Sequence, residues 1–255
     1  MSRPETTPGA RRLPLPHAVL LSFFLVLRAL PAGEFETANE RYDAGRFAEA
    51  KRGYEQLVDA GLPSANVWYN LANTDYRLGS IGRAILGYER VLALDPGHAE
   101  ATANLKLLRE QSHARDLRRT FLERALVRGS ESHWTIVTTI AAWLAVLCLV
   151  RIATRRGGPA GTLWLIAGEG LLLVLVGAVA LRAHRRDHAL AVVTAREAEA
   201  HLAPAESAAL AGFLPAGSRV RVLSERGPWT YCELPDEKRG WLPAGSLERI
   251  RPAKS

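Results

Sequence analysis

Residues able to do chemistry are sparse in this chain of 255 residues, and the most suggestive pair recurs at a fixed interval. Asn39 and Asn73 stand 34 positions apart. Each side-chain amide carries a donor and an acceptor, the equipment for holding a peptide backbone. His184 and His188 lie four apart beside Asp187. On one helix face they would form half a metal site; the plainer reading is a pair at the lipid headgroups, and we assign no metal. Glu169, between Gly168 and Gly170, interrupts an apolar run. A carboxylate there is costly and tends to face protein. Trp229 and Trp241 offer either an aromatic surface or core packing, and we assign Trp229 to a surface and Trp241 to the core. No Cys–His pair sits at catalytic spacing within one domain, and no phosphate-binding glycine loop or metal cluster stands out. The expectation is therefore no catalytic residue, no cofactor and no enzyme.

The asparagines belong to a larger repeat. Between residues 31–64 and 65–98 the pairs Ala38/Ala72, Asn39/Asn73, Tyr42/Tyr76, Gly45/Gly79, Ala50/Ala84 and Tyr54/Tyr88 recur at a spacing of 34. A period of this size signals stacked helix pairs. Small Ala72 lets two helices approach closely, and Gly79 suits a left-handed helix cap. Ala84 and Tyr88 lie one turn apart on a shared face. Pro96 stops that helix. Residues 99–118 continue as an amphipathic helix with Ala101, Leu105 and Leu108, which would cap the stack.

Three apolar stretches dominate the rest. Residues 1–32 have the layout of a secretory signal: Arg11 and Arg12 precede the run from Val19 to Leu27, and small residues follow. An uncleaved signal anchor fits as well. Residues 134–153 and 163–181 approach the roughly 20 residues that a membrane crossing needs. The intervening 154–162, with Arg151 just before it, is arginine-bearing and short, favouring a cytoplasmic turn. Both soluble parts would then lie outside. Residues 119–133 form a linker. The net charge of +7 is explained largely by the leader and by arginines flanking the spans, so no nucleic-acid partner is expected. The two cysteines, Cys148 and Cys232, should not meet.

From His188 the pattern turns to short strands. A turn at Leu214-Pro215-Ala216-Gly217-Ser218 precedes alternating Arg219 to Leu223, and Trp229 to Leu234 follows a second turn. Residues 196–211 read as a long Ala/Glu-rich insertion.

The stretch Trp68-Tyr69-Asn70-Leu71-Ala72-Asn73, with Leu78-Gly79, Ala84, Tyr88 and Leu92 to Pro96, resembles the tetratricopeptide repeat. Residues 189–250, with Gly240-Trp241-Leu242-Pro243, resemble a bacterial SH3-like domain. The fold class implied is multidomain: all-α helical hairpins over 33–118, two transmembrane helices and a small all-β barrel. By position in the repeat family, Phe35, Asn39, Tyr42, Tyr69, Asn73, Tyr76 and Arg77 would line a partner-binding groove. Tyr42 and Tyr76 fit packing between helices equally well. Glu169 would meet the first span or a partner's helix, or else lie protonated or snorkelling near the inner interface. The whole order, and Leu78 to Arg90 in particular, resembles the BatE proteins of the Bacteroides aerotolerance group. That resemblance implies a membrane scaffold in the bacterial inner membrane, partnered by von Willebrand factor type A domain proteins and an AAA ATPase system. Peptidoglycan binding through the strand domain is the alternative.

Overall fold

The computed structural model describes residues 33–118, 120, 121, 125, 126, 131–154 and 161–251. The leader at 1–32 and the turn residues 155–160 lie outside the described residues. Five helices open the fold: α1 (33–43), α2 (Phe47–Asp59), α3 (Ala65–Arg77), α4 (Ile81–Leu94) and α5 (Ala99–Ser112). Gly45 and Gly79 take φ of +73° and +75° at the turns after α1 and α3, a conformation that only glycine adopts freely. Gly53 lies against Ala38, and Gly87 against Ala72. A Cβ on Gly87 would meet that of Ala72 at 2.7 Å, so the small pair sets how closely α3 and α4 approach.

Helix α5 is the start of a third copy of the repeat, as well as a cap. Ser64 Oγ accepts from the Val67 amide, and His98 Nδ1 accepts from the Ala101 amide, both pairs 34 residues apart. Such a side-chain acceptor satisfies one of the open amides of a helix start.

Two long apolar helices follow, α6 (Glu131–Ala153) and α7 (Gly161–His188). Both are long and apolar enough to cross a membrane. At 1.5 Å per residue they reach about 34 and 42 Å. Helix α7 extends seven residues past the expected end at Leu181, because nothing in Arg182 to His188 breaks a helix. The pair is antiparallel: Glu131 Oε2 at the start of α6 lies 3.1 Å from His188 Nε2 at the end of α7. They pack through small residues, with Gly170 against Ala141 and Ala145, and Gly177 against Thr138. Small residues at such a contact let the two backbones approach closely.

The C-terminal part is a seven-stranded sheet in the order β3-β2-β6-β5-β4-β1-β7, every pairing antiparallel. Its strands are β1 (Leu190–Val193), β2 (Glu197–His201), β3 (Leu210–Pro215), β4 (Arg219–Arg226), β5 (Trp229–Glu233), β6 (Arg239–Pro243) and β7 (Leu247–Arg249). The segment read as an insertion is in fact the hairpin β2–β3, in which Glu197 and Glu199 face out while Ala198 and Ala200 are buried. The layout is thus helices plus one antiparallel sheet, in several packed parts.

Helices and sheet share a core. Strand β1 is buried on both faces, as its unbroken apolar run requires. Leu190 and Val192 join a cluster with Ala84, Ile85 and Tyr88 of α4, Leu105 and Leu108 of α5, and Leu117. Ala191 and Val193 turn into the sheet's own core with Val220, Cys232 and Leu242.

Candidate functional site

The first site is the face formed by α1, α3 and α5. Its expected lining residues are Phe35, Asn39, Tyr42, Tyr69, Asn73, Tyr76 and Arg77, all half-buried or exposed. The structure separates their roles. Asn39 Oδ1 accepts from the Tyr54 hydroxyl at 2.7 Å and from Asn70 Nδ2 at 2.9 Å. Asn73 Oδ1 accepts from the Tyr88 hydroxyl at 2.5 Å, and Asn104 Nδ2 donates to that hydroxyl at 3.3 Å. The carbonyl oxygens of both asparagines, expected at a peptide backbone, are thus engaged within the fold. One lone pair of each carbonyl serves a buried tyrosine of the neighbouring helix, and the second of Asn39 takes the Asn70 amide. Asn70 and Asn104 were missed as members of this network, although they also stand 34 apart.

The aromatic members divide similarly. Tyr69 is fixed between Tyr88 and a stacked His98, with centroids 5.9 and 4.9 Å away. Phe35 leans on Tyr54, and Tyr42 meets Phe47 edge-on. Arg77 lies over the Phe47 ring at 4.7 Å. Tyr76 and Arg77 are the exposed members, and a ligand would meet them first.

Burial pushes the Tyr54 and Tyr88 phenols up to about 12, against hydrogen bonds from asparagine that pull the other way. An unfolded tyrosine ionises near 10, so the folded state keeps protons that the unfolded state has lost between those values. The stability is fully present below pH 10 and is lost as the pH rises towards 12. Both rings are at most 2% exposed, so the expected loss is on the order of 3 kcal/mol for each. Phenolate absorbance should rise in two steps, with the two buried rings ionising only as the helices melt. A single step near pH 10 would contradict the burial of these rings.

A second cluster lies between helices and sheet. Glu89 of α4, 7% exposed, is gripped by Arg109 of α5 and Arg219 of β4. Asp116 Oδ1 stands 3.3 Å from Arg219, and its Oδ2 3.6 Å from Arg109. Burial works against the Arg219 charge, but Glu89 and Asp116 outweigh it and hold the guanidinium above its ordinary value. Arg90, beside Glu89, stacks over Trp68 and pairs with Glu248 at 2.6 Å.

On the sheet, Trp229, Tyr231 and Glu233 share the outer face of β5, and Trp241 shares that of β6. Tyr231 and Trp241 rings lie 4.9 Å apart, and Trp229 meets His201 edge-on at 5.3 Å. Trp241 is only partly buried, which corrects its assignment to the core. Leu242 and Cys232 fill that interior. Cys232 is fully buried and its thiol is pushed up to about 12 by burial, so it packs as a small apolar side chain. Both cysteines are free.

Glu169 is exposed, while Ala167 and Gly170 beside it face α6. Contact between Glu169 and the first span is thereby corrected: the carboxylate points away from it. Among the described residues no third metal ligand joins His184 and His188.

No family model matches this chain. Over 80 residues it is 39% identical to the Probable biofilm formation methyltransferase WspC of Pseudomonas aeruginosa. The match covers 31% of this chain, which spans 19% of that relative's length. This relative overturns the expectation that the chain is not an enzyme. That expectation rested on finding no catalytic constellation, and the similarity is to a protein named as a methyltransferase.

Proposed function

We propose that this chain is a membrane-anchored adaptor that presents a tetratricopeptide-type groove beside an SH3-like barrel. The observation that carries the reading is the thrice-begun repeat. The Tyr54–Asn39 and Tyr88–Asn73 bonds and the Ser64 and His98 caps recur at 34 residues, leaving Tyr76 and Arg77 exposed on one face. Because α6 and α7 are antiparallel, helical repeat and sheet lie at the same end of the pair. With an export signal, that end is the periplasmic face of the bacterial inner membrane. The partners are membrane and extracytoplasmic proteins, among them the von Willebrand factor type A domain proteins of a Bat-type envelope complex. Peptidoglycan is the alternative ligand, favoured by the outward Trp229, Tyr231 and Trp241.

The relative supplies a second reading, that the chain takes part in methyl transfer. One experiment separates these. Native membranes are cross-linked with the natural chain and with a Tyr76→Ala, Arg77→Ala variant, and the products are identified by mass spectrometry. The adaptor reading expects several-fold fewer partner cross-links in the variant, with helical signal and membrane retention unchanged. Undiminished cross-links would sink the groove. Transfer of labelled methyl groups from S-adenosylmethionine to a captured protein would favour the second reading.

A further inference from the structure

A recess of about 1050 Å³ opens where α7 meets the sheet. One wall is the last apolar stretch of α7, where Leu175 and Val179 are 57% and 50% exposed. The polar end of α7 follows, with Arg182, Arg185 and Arg186. The opposite wall is the sheet, which contributes Arg221, Leu223 and Arg239. Two carboxylates, Glu233 and Glu237, also line it, so five arginines leave the recess at +3. Arg221 is already paired with Glu233 at 2.8 Å. Arg182, Arg185 and Arg239 are exposed around the opening.

We propose that this recess seats one anionic phospholipid. Its phosphate lies among Arg182, Arg185 and Arg239, and its acyl chains run along Leu175 and Val179. The proposal rests on the reading that α6 and α7 cross a membrane. Two features on the walls select the occupant. The apolar wall is continuous with the membrane-spanning part of α7, at a depth where a soluble anion or an acidic peptide has nothing to place. Basic clusters just outside a span attract anionic headgroups by charge. A zwitterionic headgroup carries its own cation into a net-positive recess and gains less. Guanidinium groups also fit phosphate oxygens in a fork, which suits arginine over lysine. A lipid held there would fix the angle between the second span and the sheet, and through the shared core the orientation of the repeat above the membrane.

The test uses the full chain purified in detergent and equilibrated with equal amounts of phosphatidylglycerol and phosphatidylcholine of matched chains. Bound lipid is read by native mass spectrometry. The expected result is preferential retention of one phosphatidylglycerol. An Arg185→Gln, Arg239→Gln variant should lower that retention roughly tenfold, and an Arg185→Lys, Arg239→Lys variant should restore most of it. Equal retention of both lipids, or retention indifferent to the glutamine variant, overturns the seat. So does release of the lipid by millimolar inorganic phosphate, which would mark a plain anion site. Circular dichroism guards against misfolding of the variants. Alkaline carbonate extraction tests the underlying reading separately. Release of the chain from membranes overturns the spans, whereas a retained chain without lipid preference overturns the lipid seat alone.

Discussion

Replacing Glu89 with alanine should cost roughly 3 kcal/mol of stability, because it strands a buried guanidinium. Arg219 is 9% exposed, and Glu89 is its closest carboxylate. In the variant it keeps Asp116 at 3.3 Å, but that carboxylate is 44% exposed and already shared with Arg109. The loss should fall on the joint between helices and sheet rather than on either part. Residues 113–118 run through that joint: the Arg219 amide donates to the Arg115 carbonyl at 2.9 Å, and the Arg115 amide donates to Ser218 Oγ at 3.1 Å. Amide exchange at Arg219 should therefore speed up more than exchange inside α3. The double change Glu89→Leu with Arg219→Met should recover most of the loss, since matched apolar groups replace a buried ion pair at little net cost. Denaturant unfolding of the full chain in detergent measures all three variants. A loss under 1 kcal/mol for Glu89→Ala would show that the joint does not depend on this charge.

The helical repeat was legible because its signals are local. Glycine at a left-handed turn and alanine against a neighbouring helix recur at a fixed spacing whatever the rest of the chain does. The third copy was less so. His98 caps where Ser64 does, and Asn104 stands where Asn70 does, but few other positions of α5 repeat. The amides of Asn39 and Asn73 were legible as a pair but not in their role. Nothing in the order of residues tells whether an amide meets a ligand or a tyrosine of its own fold. Strand β2 was hidden by composition. Glu197-Ala198-Glu199-Ala200 alternates with period two, yet neither residue type favours strands. Hardest to see was the joint. Glu89 and Arg219 are 130 residues apart, and a glutamate followed by arginine on an amphipathic helix looks like a solvated face. The stretch Leu78 to Arg90 showed repeat positions at Gly79, Ala84 and Tyr88, whereas Gly82, Ile85 and Glu89 within it form a surface on which the sheet sits.

That surface leads to the sharpest test of the joint, the substitution Gly82→Val. Gly82, Ile85 and Glu89 fall at i, i+3 and i+7 on α4, one face of a helix. A Cβ on Gly82 would stand 2.6 Å from the Val193 carbonyl oxygen and 2.9 Å from the Thr194 Cα. Both are backbone atoms, so no side-chain rotation relieves the clash. Nor can Val193 retreat alone, since its carbonyl accepts from the Gly217 amide at 2.8 Å and its amide donates to the Ser218 carbonyl at 2.9 Å. Gly217, at φ +82°, lies directly against Ile85. The wedge must therefore lift β1 and the β3–β4 turn together. The expected cost is about 1–3 kcal/mol, as for other overpacked sites. Within α4 itself valine replaces glycine without loss of helix propensity, so helical signal should hold. Two readouts separate lifting from unfolding. Exchange at the Val193 and Gly217 amides should accelerate, while the Tyr54 and Tyr88 phenols stay protected to about pH 12. If the Val193 and Gly217 amides keep their native protection, the sheet does not sit on α4 in this way. If instead the tyrosines also lose protection, the repeat depends on the sheet for its own stability. The helical repeat and the sheet would then be a single folding unit rather than two docked ones.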